Sequence, residues 1–487
     1  MIRSLILLLL LAVSAEAITT TDRGFGGNNT SATSITIQPS GNMAAGSAGI
    51  LCIAADNSNG GTPNLPTSIT DSAGNVWRLR ITNNPTTANS SVEPGIYTAF
   101  LDNALSTSGS IVLNFAVSTP AKAWTLTEAI PSTAGNLVLY KNIAGKSTTT
   151  TTAAPTVTPT NVFTGNGDLW VAMGGAQSED TWVGDADTSN GSWSTQQHAG
   201  FGTGAAGMSI TSQGKVVTAT ANQTYNPTLT SALCILCFAI LSEVPPKGRV
   251  LGVNVASEAT TTIPFTRGLT AGSLGVLCMS MDNAGTGGAS SNVPTSTTDT
   301  KGNTWTLREN GIYDPGLAGA GVELATYTAP ITTSLGETDT VPITFTTANV
   351  QSKNYAIFEF SDATGYNTGG VSVAGAGNTT ATPSITTSSI TTPHYVVGVC
   401  GQEWDDIWTA DTDTTNGSWS PALHIGNSPG SVAGMSLIVQ YKKVTATGAQ
   451  TYNVGVSAGT IDTMIQWTDL TVPGVATNPG AFLQLFP

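Results

Sequence analysis

The sequence predicts an all-β protein built from two tandem antiparallel β-sandwich domains of jelly-roll-like type. Short segments rich in Val, Ile, Thr and aromatic residues recur along the chain, each bounded by Gly, Pro, Asn or Ser. No long run of apolar residues follows the 3.6-residue period of an amphipathic helix. One stretch occurs twice, as Trp182–Ser194 and again as Trp408–Ser420. Together these observations indicate a duplicated domain made of strands.

The first element is the N-terminal segment 1–17, which has the pattern of a secretory signal peptide. Arg3 supplies the positive charge, Leu5–Val13 is unbroken apolar sequence, and Ala15 and Ala17 form a small-x-small cleavage site. The apolar run is shorter than the roughly 20 residues that span a bilayer, and no later stretch is long enough. We therefore expect a secreted protein, extracellular or on a cell or virion surface, without a membrane span.

The rest of the chain divides into repeat one at 18–243, a Pro-rich linker at 244–249 and repeat two at 250–487. The polar run Lys146–Thr160 is predicted to be an extended surface connection, and Ala481–Phe486 an additional C-terminal strand. The strands predicted in repeat one are Ala48–Ala55, Val76–Ile81, Gly95–Leu101, Ser110–Val117, Ala123–Ile130, Asn136–Tyr140, Gly167–Met173, Gly207–Ile210, Lys215–Thr220 and Leu233–Leu241.

The amino-acid composition limits which partners the protein can bind. A net charge of −14 provides no electrostatic footprint for nucleic acid or for an anionic membrane. The five cysteines cannot all pair within the chain, and their apolar neighbours indicate buried thiols. Cys234 and Cys237 lie three apart in a predicted strand, so their side chains point to opposite faces and do not form a metal or redox pair.

Several further motifs occur once in each repeat, in the same order. They are Asp71-x-x-Gly74-Asn75-x-Trp77 with Asp299-x-x-Gly302-Asn303-x-Trp305, the strand glutamates Glu128 and Glu359, and the Thr-rich strands that begin at Lys215 and Lys442. With Gly167-Asp168-Leu169, this order resembles secreted bacterial and phage tandem β-sandwich surface repeat proteins. Repeat two departs from it, because Pro393-His394 replaces the Gly-Asp pair. The resemblance implies a surface, adhesive or virion component, and it transfers no catalytic residue.

The duplicated stretch is the candidate binding site. Three interpretations remain open: its carboxylates bind calcium, its tryptophans and polar side chains bind a sugar, or it is a turn whose tryptophans pack on the sandwich. The calcium ligands would be Asp185, Asp187, Asp411 and Asp413. The ligand-binding residues would be Trp182, Asp185, Asp187, Asn190, Trp193, Trp408, Asp411, Asp413, Asn416 and Trp419.

The sequence thus predicts a non-catalytic exported adhesin that binds a glycan or cell-surface polysaccharide. The alternative is a self-associating structural component of a virion or extracellular filament. A second alternative is a carbohydrate-active hydrolase that uses Glu128 and Glu359 as its acids. His198 and His424 match between the repeats, and no nucleophile or metalloprotease motif accompanies them.

Overall fold

The computed structural model describes residues 18–56, 64–83, 92–141, 146–150, 153–158, 167–202, 207–218, 223–230, 234–282, 292–313, 321–346, 350, 352–374, 382–404, 408–427, 434–456 and 462–473. Within these ranges the chain forms strands joined by turns, and no helix occurs. The predicted all-β fold is confirmed. The predicted signal segment and the predicted strand Ala481–Phe486 lie outside the described residues.

The first half of repeat one forms a large antiparallel sheet of strand order β1-β8-β3-β6-β5, which we call the first large sheet. A smaller sheet, β2-β7-β4, packs on one of its faces. The strands are β1 (Thr19–Asn28), β2 (Ala32–Ile37), β3 (Ala48–Asp56), β4 (Pro66–Asp71), β5 (Trp77–Thr82), β6 (Val92–Phe100), β7 (Ile111–Thr119) and β8 (Lys122–Ile130).

The second half of repeat one forms the second large sheet, of order β10-β16-β11-β14-β13, with β9 also paired to β16. The short pair β12-β15 covers its outer face. The strands are β9 (Leu137–Tyr140), β10 (Lys146–Thr150), β11 (Leu169–Ala176), β12 (Trp182–Val183), β13 (Gln197–Phe201), β14 (Met208–Val216), β15 (Thr228–Leu229) and β16 (Cys234–Val244). The start of the predicted polar connection is therefore the edge strand β10, which pairs through its backbone.

Repeat two begins with the third large sheet, of order β17-β24-β19-β22-β21-β20, covered by the pair β18-β23. Its strands are β17 (Gly248–Asn254), β18 (Thr260–Pro264), β19 (Leu274–Asp282), β20 (Ser296–Thr298), β21 (Thr304–Tyr313), β22 (Val322–Pro330), β23 (Thr340–Thr344) and β24 (Lys353–Phe360).

The fourth large sheet completes repeat two, with the order β25-β33-β27-β30-β29. The pairs β26-β31 and β28-β32 cover its outer face. Its strands are β25 (Gly365–Ala374), β26 (Ser384–Thr386), β27 (His394–Glu403), β28 (Trp408–Thr409), β29 (Leu423–Asn427), β30 (Met435–Val444), β31 (Thr451–Asn453), β32 (Gly455–Val456) and β33 (Thr463–Thr471).

The same strand order thus occurs four times. In each large sheet the entry strand pairs with the last strand. The last strand pairs with a central strand, and the central strand pairs with a hairpin. Each repeat therefore holds two sandwiches of a large sheet and small covering strands. Their large sheets pack back to back, the first against the second and the third against the fourth.

This packing explains why the central strands lack polar alternation. In β3, Ile50 and Cys52 enter the core between the first and second large sheets, while Leu51 and Ile53 enter the core under the small sheet. A strand buried on both faces requires a continuous apolar run. Cys234 and Cys237 likewise lie in different cores, and all five cysteines are free and buried.

The two repeats meet at a tight turn. β16 ends at Val244, the Gly248 N–H donates to the Pro245 carbonyl at 2.8 Å, and β17 begins at Gly248. Leu139 and Val244 of repeat one belong to the same apolar cluster as Leu251 of repeat two. The short turn and the shared core hold the repeats in direct contact.

Candidate functional site

The two duplicated loops lie in matching places, over the outer faces of the second and fourth large sheets. β12 starts the first loop and pairs with β15, so that Trp182 lies opposite Leu229. β28 starts the second loop and pairs with β32, with Trp408 opposite Val456. The structure therefore brings the residues of each loop together over a sandwich core.

The first tryptophan of each loop is buried. Trp182 is 4% exposed and Trp408 is 8% exposed. The Trp182 indole N–H donates to Ser209 Oγ at 3.0 Å, and the Trp408 N–H donates to Ser436 Oγ at 3.0 Å. A buried indole usually finds such an acceptor. Both rings are core side chains with satisfied polar ends.

The second tryptophan of each loop also packs inward. Trp193 and Trp419 are each 8% exposed and lie against Tyr225 and Tyr452, at ring-centroid distances of 5.0 and 4.8 Å. Sugar stacking needs an open indole face, and the loop tryptophans offer little. The prediction that sugars stack there gains no support from these contacts.

The first aspartate of each loop anchors the loop to the rest of its sandwich. Asp185 accepts hydrogen bonds from the backbone N–H of Asp187 at 2.8 Å and of Asn226 at 2.9 Å, and its own N–H donates to Gln213. In repeat two, Asp411 accepts from Asp413 and Asn453 at 2.7 Å each. The carboxylates of Asp185 and Asp411 are buried and occupied by protein donors.

The second aspartate of each loop is ion-paired. Lys215 Nζ lies 2.8 Å from Asp187 Oδ2, and Lys442 Nζ lies 2.9 Å from Asp413 Oδ2. Both lysine side chains are fully buried, and each ammonium lies over a loop tryptophan, 5.5 Å from the Trp193 ring centroid in repeat one. The lysine hydrogen bond, followed by a backbone N–H, lowers the pKa of Asp187 and of Asp413 to about 2.

The Asn-Gly dipeptides form the predicted turns. Asn190 and Asn416 have φ of 58° and 59°, in the left-handed region that asparagine tolerates better than most residues. Gly191 has φ of 111°, and a Cβ there would lie 2.1 Å from the Val216 carbonyl oxygen. Glycine is therefore required by both conformation and space. The asparagines serve the turn.

Protein groups already occupy the carboxylates that would have to bind a calcium ion. Calcium takes six to eight oxygen ligands, whereas the Asp187 and Asp413 carboxylates face ammonium groups and the other two are occupied by backbone N–H groups. Among the described residues, no group of three or more His, Cys, Asp or Glu side chains is arranged to hold a metal. Calcium binding by Asp185, Asp187, Asp411 and Asp413 stays a prediction without structural support.

The strand glutamates considered for hydrolysis are also internally bound. Glu128 accepts from Arg23 Nε at 2.8 Å and from the Ala44 N–H and the Ser47 hydroxyl at 2.6 Å each. Glu359 accepts from Arg249 Nε at 2.7 Å and from the Thr270 N–H at 2.6 Å.

The electrostatics of Glu359 are the reverse of those that a general acid needs. Burial alone would raise its pKa, but the Thr270 N–H and Arg249 outweigh burial and hold the pKa below its usual value. A glycosidase acid requires a raised pKa so that it is protonated at neutral pH.

The histidines have structural contacts in the parts of the chain described. His198 Nε2 lies 3.0 Å from the Asp180 carbonyl oxygen, and His394 Nδ1 lies 2.8 Å from Asp469 Oδ1. His424 lies at a cavity between the repeats, together with Asp168 and Glu243. Glu243 there accepts from the N–H groups of Ser132 and Thr133.

Sequence reasoning missed the partners of the loops, above all Lys215 and Lys442. A signal for them was present, since each lysine begins a motif that is duplicated together with the loop. A charged residue matched across two copies and placed in an apolar strand points to a buried ion pair. Among the described residues, no helix has the length and apolar character needed to cross a membrane.

Comparisons with models of known protein families, with curated proteins and with solved structures give no match.

Proposed function

We propose that this chain is a non-catalytic exported surface protein whose repeated sandwiches form a scaffold for adhesion. One observation carries the proposal. The ionisable side chains that match between the repeats, among them Asp187 with Asp413 and Glu128 with Glu359, bond to groups of their own repeat in the same way twice. Carboxylates that make the same internal bonds in both repeats contribute to stability. A catalytic acid would instead have to face a substrate.

The contacts of the two strand glutamates favour this proposal over the hydrolase alternative. Both carboxylates accept hydrogen bonds from an arginine and from a backbone N–H, whereas a glycosidase acid must reach the substrate. We therefore infer a structural role for Glu128 and Glu359. Each bonds to an arginine in the bulge of an entry strand, Glu128 from β8 to β1 and Glu359 from β24 to β17.

A specific observation favours one second function, a structural component of a virion or extracellular filament. The repeats are joined by a tight Pro245–Gly248 turn and by ion pairs such as Arg267 Nη2 to Asp102 Oδ1 at 2.9 Å. A filament subunit benefits from repeats that cannot swing freely. An adhesin tolerates the same arrangement.

The experiment is a sugar-release assay on a panel of bacterial and plant polysaccharides, with light scattering of the same samples. We expect no release by the parent protein. Release that Glu128→Gln or Glu359→Gln abolishes, while a thermal melt shows the variant still folded, would establish the hydrolase instead. Growth of ordered particles in the scattering would favour the filament component.

A further inference from the structure

We propose that repeat one carries a binding cleft for a neutral, polyhydroxylated ligand such as a single sugar unit, and that repeat two lacks the polar residues of this cleft. The proposal rests on the adhesive function proposed above and names its ligand class. The cleft encloses about 270 Å³ at one edge of the contact between the first and second large sheets. Residues that line it include Thr20, Asp22, Thr127, Val171, Gln197 and Ser212.

The register between the repeats at this place is fixed by matched residues. Arg23 and Arg249 each lie in a bulge of the entry strand, and each pairs with the strand glutamate of its repeat. Gln213 and Gln440 each accept the N–H of the first loop aspartate. These anchors align the cleft residues one by one with positions in repeat two.

The matched positions differ sharply in polarity. Where repeat one has polar or small residues, repeat two has apolar and aromatic ones that fill the space. The pairs are Thr127 with Phe358, Gln197 with Leu423, Ser212 with Val439 and Gly214 with Tyr441. Phe358, Leu423 and Val439 are at most 1% exposed, and the Phe358 and Tyr441 rings lie 6.1 Å apart.

This difference indicates that the fold does not require the polar set. Repeat two closes the same contact between large sheets with apolar side chains, which gain free energy from leaving water. Polar side chains at such a contact cost free energy unless they are hydrogen-bonded. The Thr127 hydroxyl bonds to Gln197, and the Ser212 hydroxyl lies 2.7 Å from Thr125 Oγ1. The group that points to a ligand is therefore the amide of Gln197.

Gln197 gives the cleft its clearest donor. The side chain is 8% exposed, and its amide oxygen accepts hydrogen bonds from Thr127 Oγ1 at 3.2 Å and from Ser212 Oγ at 3.4 Å. Within the part of the chain that the structure describes, no acceptor takes its amide hydrogens. The amide nitrogen is available to a ligand oxygen.

The mouth of the cleft supplies complementary acceptors. Asp22 is exposed there, and its Oδ1 accepts the Gly24 N–H at 2.7 Å, while Oδ2 has no donor among the described residues. The Thr20 hydroxyl lies beside it on the same strand. A sugar hydroxyl both donates and accepts, so it can meet an amide N–H and a carboxylate at once.

The charge and the volume of the cleft indicate which ligands it can bind. Among the described residues that line the cleft there is no lysine or arginine, and Asp22 makes its mouth negative, so an anionic sugar is disfavoured. A cleft volume of about 270 Å³ leaves room for a small ligand such as one sugar ring. Val171 offers an apolar wall for the CH groups of a ring.

The test is saturation-transfer NMR of the purified protein with glucose, galactose, mannose, N-acetylglucosamine and glucuronic acid. We expect signal from at least one neutral sugar and none from glucuronic acid. The variant Thr127→Phe/Gln197→Leu/Ser212→Val introduces the residues of repeat two and should reduce binding by at least about tenfold. Because repeat two folds with these residues, the variant should keep its melting temperature. Thr260→Val, which removes an exposed hydroxyl of repeat two, is the control and should bind like the parent.

Two results would contradict the proposal that the cleft binds a sugar. If no neutral sugar gives a signal with the parent, the cleft is not a sugar site. If the signal persists in the filled variant, the protein binds sugar elsewhere, and the adhesive function stands while the cleft fails. Sugar release in place of binding would instead remove the non-catalytic function itself.

Discussion

At the scale of single residues, the structure uses carboxylates as internal anchors, and most of them have donors close by. At Glu403, as at Glu337 and Asp282, burial outweighs the nearby donors and cations and raises the pKa. Glu403 is 3% exposed at the end of β27, where the Gly321 N–H donates to it at 3.1 Å. Burial, with smaller contributions from Asp462 and Asp282, raises its pKa to about 7. The corresponding position in repeat one is a glutamine, Gln177.

The raised pKa predicts a pH dependence that one substitution removes. The folded protein holds this proton more tightly than the unfolded chain, whose glutamate has a pKa near 4.5. The stability contribution is therefore complete below about pH 4.5 and is lost as the pH rises to about 7. Glu403→Gln should leave stability nearly unchanged at pH 4 and raise the free energy of unfolding by about 3 kcal/mol at pH 8.

Urea unfolding of parent and variant at both pH values measures this effect. Glu179→Gln, at an exposed position, controls for the change of net charge and should produce no pH-dependent gap. An equal gap between Glu403→Gln and parent at pH 4 and pH 8 would contradict the assignment.

At the scale of elements, the Asp-x-x-Gly-Asn-x-Trp turns show how a motif fixes a strand. Asp299 accepts from the backbone N–H groups of Lys301 and Asn303 at 2.9 and 3.0 Å, and from the Trp305 indole at 3.0 Å. Asp71 makes the same set of bonds, with the Trp77 indole at 2.9 Å. The turn thus holds the tryptophan at the start of the next strand, Trp77 in β5 and Trp305 in β21.

Asp299→Asn should destabilise repeat two by about 2–4 kcal/mol, because an amide NH₂ would oppose donors that the carboxylate now satisfies. Asp71→Asn should cost repeat one a similar amount. The measurement is urea unfolding followed by tryptophan fluorescence. Asp102→Asn is the control, since its exposed ion pair contributes about 1 kcal/mol or less. Equal effects of the Asp299 and Asp102 substitutions would show that the turn bonds do not matter.

Local sequence predicted elements well where the signal is local. The predicted strands Ala48–Ala55 and Ala123–Ile130 correspond closely to β3 and β8, and the Asn-Gly turns lie where expected. The edge strand β10 was not predicted, because Lys146–Thr150 pairs through backbone groups and needs no apolar side chains. The partners of the loop aspartates were missed because Lys215 and Asn226 lie far from the loop in the sequence, and only the joint duplication of loop and lysine motif indicated them.

The pairing of two sandwiches inside each repeat also escaped the sequence analysis. The two halves of a repeat share strand order but no motif, so self-similarity marks only the larger unit. The signal that could have found it is the run Cys234–Val244, which is apolar at almost every position. Such a run indicates a strand covered on both faces, and hence a second layer.

At the scale of the whole molecule, apolar contacts and ion pairs join the two repeats across the turn. Leu139 and Val244, each 1% exposed, pack in one cluster with residues of repeat two such as Leu251. Arg78 Nε lies 3.6 Å from Glu337 Oε2 across the same junction. Apolar burial of this kind couples the unfolding of one repeat to the other.

We therefore expect one calorimetric transition for the parent protein and two for Leu139→Ala/Val244→Ala. Each truncation of a buried aliphatic side chain costs about 1–5 kcal/mol, here in a cluster that both repeats share, so it weakens their coupling as well as the fold. Ile235→Ala is the matched control. Ile235 is equally buried, but its core belongs to repeat one alone. That variant should melt at a lower temperature and keep a single transition. Two separate transitions in the parent would show that the repeats fold independently despite the junction, and would favour an adhesin with two autonomous modules over a filament subunit.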